Sequence, residues 1–387
     1  MKKIVLLDGY SVQAYSVSKS LRKAGFHVSL LSHTRIGYGF FSKYPHTKFL
    51  APKSNSTLFK NYFIELQQEY KFDLAIPLCD EGAQFLSYNK ELLKKHSLLV
   101  AVPQWDIFKV ASDKQALLAI CQRNGLGHPR TTAINESNID EAIKYVGFPS
   151  LIKPDFSMGA RGITRVNSKN DITRVLKSLI DTYGSCTLQE FIVSNESYYN
   201  VMMYRGNDGS ILATAAIEIT RFFPIKGGSS CFAKSVEIDE LTLLCQQALD
   251  VLGWTGFADF DVLYDSRDSK FKIIEINPRI PACIEAAYIS GVNFPAIIAQ
   301  RKLIDKSYNS SHTYITGMYL RYFTLDLAWF IFSSKRFKTR PCWFNFNKKY
   351  QFYQDAGKDD PFVVFAGLLD AFRKIFSINY LKSKFKG

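Results

Sequence analysis

The stretch FKIIEINPR, residues 271–279, begins as an apolar β-strand and ends in polar groups around a proline. Alternate side chains of a strand project from one face, so Glu275 and Asn277 point the same way and Arg279 continues the spacing. The preceding apolar run carries Asp261, which can converge on this pair from a hairpin strand. Two carboxylates and an amide oxygen form the all-oxygen set that Mg²⁺ prefers, and a guanidinium can reach a phosphoryl oxygen. The segment therefore predicts a metal–phosphate site, with a charged strand end as the alternative.

A second segment, FPSLIKPDFSMGARGI at residues 148–163, places Lys153 at the end of an apolar strand. A partly buried ammonium is costly without a partner, and a phosphate group removes that cost. Gly159 and Gly162 flank Arg161 in the loop that follows, where backbone N–H groups are free to close over phosphates. Lysine, proline and glycine loop in this order predict a phosphate-binding lid.

A third segment is the predicted strand edge Glu190-Phe191-Ile192, followed by Glu196. Its backbone groups can bind an adenine ring, and the later carboxylate can accept hydrogen bonds from ribose hydroxyls. A strand followed by a solvated loop explains the same residues equally simply, so this segment decides nothing alone.

The rest of the chain sets these segments in an α/β framework. Residues 1–105 alternate apolar strands with helical patterns, which is typical of a βαβ parallel sheet. Residues 106–190 predict a smaller lobe of helices and strands, and residues 191–305 predict an antiparallel sheet with one helix. Residues 306–387 form a basic, aromatic-rich extension.

Taken in the order in which they occur along the chain, the three segments resemble the ATP-grasp superfamily, specifically its carbamoyl-phosphate-synthase-like carboxylate–amine ligases. The resemblance covers about residues 1–305 and implies a pre-ATP-grasp domain, a small lid subdomain and a large subdomain with the metal site. It assigns nucleotide binding to Lys114, Lys153, Gly159, Arg161, Gly162, Glu190, Phe191, Ile192 and Glu196. It assigns metal binding to Asp261, Glu275 and Asn277, and catalysis to Arg279.

One position departs from the family pattern. The first metal position holds Asp where many relatives carry Glu or Gln, and Asp259 lies two residues before Asp261 on the same face. Either carboxylate can bind the metal, and we prefer Asp261.

The resemblance implies an enzyme that uses ATP with Mg²⁺ or Mn²⁺. A substrate carboxylate is activated as an acyl phosphate, and an amine attacks it to form an amide or peptide-like bond. The product would belong to small-metabolite or cell-surface polysaccharide biosynthesis. Alternatives are a carboxylate–thiol ligase, a carbamoyl-phosphate-like kinase, and a sensor that binds ATP without turnover. The complete metal set together with Arg279 favours turnover.

The candidate residues for binding the substrate lie in the segment from Arg221 to Ser230. Arg221 or Lys226 can clamp a carboxylate, beside Gly228 and Ser229, although a charged hairpin turn would look the same. The segment Cys79-Asp80-Glu81, which closes a strand of the first domain, is expected to face the same cleft, with a capped turn as the alternative.

Composition limits the class of protein and its partners. Seven scattered cysteines without a CxxC pair favour reduced thiols in a cytoplasm, with no zinc site. No stretch reaches the roughly 18 apolar residues of a membrane span. Residues 301–387 hold 16 Lys and Arg against 6 Asp and Glu, or +10 of the net charge of +14. This predicts an anionic partner at one end of the molecule and no nucleic-acid-binding core.

The extension ends in a predicted amphipathic helix. Its apolar residues at helical spacing are Phe365, Leu368, Leu369, Phe372, Ile375 and Phe376, and its cations are Arg373, Lys374, Lys382, Lys384 and Lys386. Such a helix fits a peripheral contact with the inner membrane surface or a polyanionic acceptor, or else packs on its own protein. The oligomeric state is open.

Overall fold

The computed structural model describes residues 1–155, 162–194, 197–225, 228–304, 313–346, 349–355 and 359–376, with side chains only up to 369 in the last range. The first unit is a five-stranded sheet with helices between its strands. The strands are β1 (Lys3–Leu7), β2 (His27–Ser32), β3 (Thr47–Leu50), β4 (Leu74–Pro77) and β5 (Leu99–Val100). The helices are α1 (Gln13–Lys23), α2 (Tyr38–Phe41), α3 (Phe59–Tyr70), α4 (Asp80–Tyr88) and α5 (Lys90–Lys95).

All neighbours in this sheet are parallel, in the order β3-β2-β1-β4-β5. The strand β1 is apolar without alternation because a parallel sheet buries both faces. The carboxyl ends of β1 and β4 lie side by side, which puts Asp8 and Asp80 at the edge where such sheets bind ligands. The predicted βαβ arrangement is confirmed.

The second unit is a four-stranded antiparallel sheet covered by helices. Its elements are α6 (Trp105–Ser112), α7 (Lys114–Arg123), β6 (Thr131–Ile134), α8 (Ile139–Val146), β7 (Ser150–Pro154), β8 (Thr164–Val166), α9 (Lys169–Tyr183) and β9 (Cys186–Glu190). The strand order is β6-β9-β7-β8. Side-chain caps fix two of the helix starts: Asp113 accepts two backbone N–H bonds at α7, and Ser168 accepts one at α9.

The third unit is a seven-stranded sheet. Its strands are β10 (Tyr198–Arg205), β11 (Ile211–Phe223), β12 (Ser229–Val236), β13 (Gly256–Asp265), β14 (Lys270–Asn277), β15 (Tyr319–Arg321) and β16 (Gln351–Tyr353). Its helices are α10 (Asp239–Val251), α11 (Ile284–Ile289), α12 (Phe294–Leu303), α13 (Phe323–Phe332) and α14 (Phe362–Phe376). The order is β14-β13-β10-β11-β12-β15-β16, antiparallel except for the last pair.

Alternation along β10 divides the core between the two faces of this sheet. Met202 packs into a cluster shared with Ile4 of β1 and Phe294 of α12, which joins the first unit to the third. Val201 and Met203 face the opposite cluster, under α10. The first and third units are therefore held against each other by one continuous apolar core.

The C-terminal segment is partly integrated into the third unit, because β15 and β16 extend its sheet. The predicted domain boundaries at 105, 190 and 305 stay a prediction. Among the described residues, none of the helices combines the length and apolar composition that crossing a membrane requires. The side chains of Phe372, Arg373, Lys374, Ile375 and Phe376, and residues Lys382, Lys384 and Lys386, lie outside the described part of the chain.

Candidate active site

Three adjacent strands bring the predicted metal ligands together. On the hairpin of β13 and β14, Asp261 lies opposite Glu275, and Asp259 lies opposite Asn277. The next strand, β10, places Asn200 beside Asp261, to which its amide donates over 3.1 Å. The convergence predicted from the period of two is present, whereas the metal-binding roles stay predictions.

The carboxylates of this cluster are electrostatically frustrated. Burial raises the pKa of Asp261 well above its usual value, and the nearby Glu275 and Asp259 carboxylates raise it further. Burial also raises the pKa of Asp259 to about 7, against the opposing effect of Arg279. Burial acts on Glu275 in the same direction, but Lys114 and a hydrogen bond from Asp261 hold its pKa below the usual value.

The donor set fits a divalent cation. Asp259 Oδ1 is buried and has no hydrogen-bond partner among the described residues. A cation would satisfy this oxygen and relieve the repulsion between the carboxylates. Across the described residues there is no group of three or more His, Cys, Asp or Glu side chains arranged to hold a metal. The candidate set is instead two carboxylates and an amide, with Asp259 as the alternative ligand.

Arg279 joins this cluster to the first unit. Its Nη2 donates to Asn277 Oδ1 over 3.0 Å, and its Nη1 lies 3.5 Å from Asp259 Oδ2. Its Nε donates over 3.0 Å to Asp80, the first residue of α4. Asp80 therefore faces the cleft as expected, and the guanidinium is held between two units.

Two lysines approach the same cluster from the second unit. Lys114, at the start of α7, has its Nζ 3.7 Å from Glu275 Oε2. Lys153, at the end of β7, is buried and donates to Gln189 Oε1. Burial lowers the pKa of Lys153 to about 8, and Lys114 lowers it further while Glu275 opposes the change. Lys114 beside Glu275 and the nearby Lys153 are the cations that this cleft offers to an anion.

The end of β9 is tied to the third unit by ion pairs. The buried Glu190 carboxylate accepts from Arg130 Nη2 over 3.2 Å and from Arg267 Nη2 over 2.7 Å. Arg267, in the turn between β13 and β14, also binds Asp265 over 2.6 Å. This network links the second unit to the hairpin that carries Asp261 and Glu275.

The predicted adenine-binding edge has one uncommitted backbone donor. The N–H groups of Glu190 and Phe191 donate to the carbonyls of Arg130 and Pro149 over 2.8 and 3.1 Å. Within the part of the chain that is described, the Ile192 N–H donates to no protein acceptor. It is therefore the group that an adenine ring can use.

The described residues cover only part of the predicted lid and substrate segments. Gly159, Arg161, Glu196 and Lys226 lie outside them. Gly162 has φ of +74°, and a Cβ there would meet Pro154 and Tyr183 at 2.8 Å, so the turn before β8 requires glycine.

Arg221 is not placed as a substrate clamp. It is 1% exposed, and its Nε and Nη2 bind Asp326 over 2.8 and 3.0 Å. Its guanidinium stacks on the ring of Phe232 at 3.9 Å. Because its polar groups are already satisfied in the core, we assign Arg221 a structural role instead of the predicted one.

Gly228, which precedes Ser229, is linked to the carboxylate cluster by Tyr198, a residue that the sequence did not single out. Tyr198, at the start of β10, donates from its hydroxyl to the Gly228 carbonyl over 3.3 Å. Burial raises the pKa of Tyr198, and the adjacent Asp261 carboxylate adds to the effect. Ser229 begins β12 and is exposed. The substrate assignment of this loop stays a prediction.

Comparisons with known proteins agree with this geometry. Residues 111–283, from just before Lys114 to just after Arg279, match the family model described as the ATP-grasp domain. The chain thus contains an ATP-grasp domain, and its architecture is the ATP-grasp fold.

Its relatives are distant in sequence. It is 20% identical over 331 residues to the D-aspartate ligase of Enterococcus faecium (strain Aus0004), covering 79% of this chain and 78% of that one. It is 21% identical over 276 residues to the carbamoyl phosphate synthase large chain of Thermotoga sp. (strain RQ2), of whose length the match spans only 24%.

A solved structure shows the same fold. The biotin carboxylase domain of Hydrogenobacter thermophilus 2-oxoglutarate carboxylase, in complex with MgADP, ADP and bicarbonate, superposes with a TM-score of 0.69 at 15% identity. The superposition covers 82% of this chain and 73% of that one.

Proposed function

We propose that this chain is a Mg²⁺- and ATP-dependent carboxylate–amine ligase. The observation that carries the proposal is the convergence of Asp261, Glu275 and Asn277 with Arg279, Lys114 and Lys153 at one cleft between three units. Phosphoryl transfer from ATP needs carboxylates that bind a metal ion and, next to them, positively charged side chains that bind the phosphates. The similarity to a D-aspartate ligase supports an amine as acceptor and an amide or peptide-like bond as product.

Asp261, Glu275 and Asn277 would hold the metal, which supplies charge neutralisation for the phosphates. Arg279 is held by Asp80 and Asn277 so that its charge faces the cleft, where it stabilises negative charge that develops during transfer. Lys153 and Lys114 bind phosphate oxygens, and the Ile192 N–H binds the adenine ring. The substrate carboxylate attacks the terminal phosphoryl group, and the amine then displaces phosphate, so the protein needs no nucleophilic side chain.

The proposal is tested by ADP release with Mg-ATP against a panel of amino acids, dipeptides and sugar acids, each with and without an amine acceptor. We expect ADP release that depends on one carboxylate class and is increased by an amine. ATP binding without carboxylate-dependent release across the panel would favour a sensor and contradict the ligase.

The pKa of Lys153 predicts how ATP affinity depends on pH. With a pKa of about 8, the Lys153 side chain is mainly a neutral amine above pH 8 and must take up a proton before it can pair with phosphate. Affinity for ATP should therefore fall as pH rises past 8, by up to about tenfold per unit, and Lys153→Met should weaken binding and remove this slope. Calorimetric titration from pH 7 to 9.5 measures it.

Lys90 offers a matched control for this titration. Burial lowers the pKa of Lys90 to about 8 as well, but it lies on α5 of the first unit and donates to the Val102 carbonyl. Lys90→Met should keep the wild-type slope. A flat wild-type profile, or an unchanged slope in Lys153→Met, would remove Lys153 from the phosphate site.

The hydrogen-bond network around Glu190 predicts a variant in which KM for ATP changes and kcat does not. Arg267→Met removes the link between the end of β9 and the large sheet, so the adenine-binding edge loses its fixed position. A hydrogen bond to a charged group contributes about 1.5 kcal/mol, so KM for ATP should rise about tenfold while kcat stays within about twofold.

Arg174→Met is the control for Arg267→Met, because it breaks an exposed Arg–Asp pair on α9 of the second unit, the unit that also contains Glu190. It should leave both constants unchanged. A fall in kcat with unchanged KM in Arg267→Met would show that the network does not position the nucleotide.

A further inference from the structure

The exposed aromatic side chains of this protein are concentrated in its C-terminal segment. Nine phenylalanines are among the exposed large hydrophobic residues of the described chain, and eight of them lie between residues 323 and 365. Scattered apolar residues on a surface are ordinary, whereas a concentration of this kind marks a contact surface.

On helix α13, three of the exposed apolar side chains form a stripe along one face. Phe323, Leu327 and Ile331 follow one another at intervals of four and are 36, 39 and 52% exposed. The opposite side of the helix buries Ala328 and Trp329. The helix thus packs with one face and presents a second apolar face outward.

The stripe continues beyond the end of the helix. The rings of Phe337 and Phe344 both contact Phe330, the residue before Ile331, at centroid distances of 5.6 and 5.5 Å. Phe337 is 72% exposed and Phe344 54%. We call the resulting patch the apolar C-terminal surface; its members are Phe323, Leu327, Ile331, Phe332, Phe337 and Phe344.

The exposed charges within residues 323–355, the segment that forms this surface, are of one sign. Residues 323–355 contain six Lys and Arg and only two acids, Asp326 and Asp355, both of which are buried. Lys335, Lys338 and Arg340 are exposed directly after α13. Arg336 donates to the Ile331 carbonyl over 3.0 Å, which fixes a cation beside the stripe. The partner of this surface must therefore be both apolar and anionic.

We propose that the apolar C-terminal surface binds the face of an anionic lipid bilayer. Phenylalanine and aliphatic side chains enter the boundary between headgroups and acyl chains, while adjacent Lys and Arg pair with lipid phosphates. A helix too short to span fits this arrangement, since it lies along the interface. This inference does not depend on the proposed ligase activity and places the contact on α13 and residues 335–344, ahead of the predicted C-terminal helix.

The test is co-sedimentation of the full chain with vesicles of phosphatidylglycerol and phosphatidylcholine, compared with vesicles of phosphatidylcholine alone. We expect binding only to the anionic vesicles, weakening as salt rises from 0.05 to about 0.5 M because the Debye length shortens. Each cation near an anionic surface contributes about fivefold, so Lys335→Glu, Arg336→Glu and Lys338→Glu together should lower partitioning at least about 100-fold.

A second variant tests the apolar part. Leu327→Ser, Ile331→Ser and Phe337→Ser together should abolish binding. The matched control, Ile36→Ser, Leu58→Ser and Leu243→Ser, changes three residues that are equally exposed elsewhere and should bind like the wild type. The unfolding midpoint of each variant shows that it folds.

Three outcomes would overturn the proposal. The first is equal binding to neutral and anionic vesicles, or binding to neither. The second is wild-type binding by both triple variants with loss of binding when the chain is shortened after residue 376, which would assign the contact to the tail. The third is a wild-type dimer that the serine variant converts to a monomer without any lipid dependence, which would make the surface a contact between two copies.

Discussion

Glu275→Gln should lower the rate of ADP formation about 10³-fold, which corresponds to about 4 kcal/mol of transition-state stabilisation. The substitution keeps the shape of the side chain and removes one negative charge. Glu275 is the carboxylate of the cluster whose pKa lies below its usual value, because Lys114 and Asp261 overcome the effect of burial. It is therefore ionised near neutral pH and, in the proposed function, would supply negative charge to the metal.

Glu240→Gln is the control. Glu240 is exposed in the first turn of α10, so the substitution makes the same chemical change outside the cleft. Its rate should match the wild type. A Glu275→Gln rate within tenfold of wild type would mean that Glu275 does not hold the catalytic metal, and the candidate set would shift toward Asp259 and Asp261.

Asp326→Ala should lower the free energy of unfolding by about 3–5 kcal/mol. This carboxylate is fully buried and accepts hydrogen bonds from two buried arginines, Arg221 on β11 and Arg321 on β15, the latter over 2.7 Å. Removing it leaves two guanidinium groups in the core without their counter-charge. Because the three residues come from β11, β15 and α13, the loss should loosen the attachment of the C-terminal segment to the large sheet.

Asp140→Ala breaks an exposed pair with Lys169 and is the matched comparison for the same chemical change. Surface pairs contribute about 0–1 kcal/mol, so its unfolding midpoint in urea should stay near that of the wild type. Similar small shifts in Asp140→Ala and Asp326→Ala would show that the buried triad does not hold the C-terminal segment in place.

The convergence of the predicted metal ligands was predictable from the sequence because a strand has a period of two. Glu275 and Asn277 share a face by spacing alone, and a short hairpin brings Asp261 opposite Glu275. The burial of Lys153 was predictable because it ends an apolar strand, whereas its phosphate-binding role stays a prediction: its partner in the structure is Gln189 Oε1. The parallel sheet followed from apolar strands that alternate with helices.

The contacts between units were not predictable, because they join residues that are far apart in the chain. Asp80 meets Arg279 across 199 positions, and Arg267 meets Glu190 across 77. The interpretation of Arg221 as a substrate clamp was wrong for the same reason. The sequence around an arginine on a strand is the same whether the side chain faces a cleft or binds a buried aspartate 105 residues later in the chain. β15 and β16 have three residues each, too few for a pattern to indicate a strand.

The proposed function requires a carboxylate oxygen to attack the terminal phosphoryl group of ATP at this cleft. The direct measurement uses the carboxylate identified in the ADP-release panel, labelled with ¹⁸O, and follows the label into inorganic phosphate by mass spectrometry. We expect one labelled oxygen in phosphate for each ADP formed, since the oxygen that attacks phosphorus leaves with it when the amine displaces phosphate. Phosphate without label, formed alongside ADP and amide product, would contradict it.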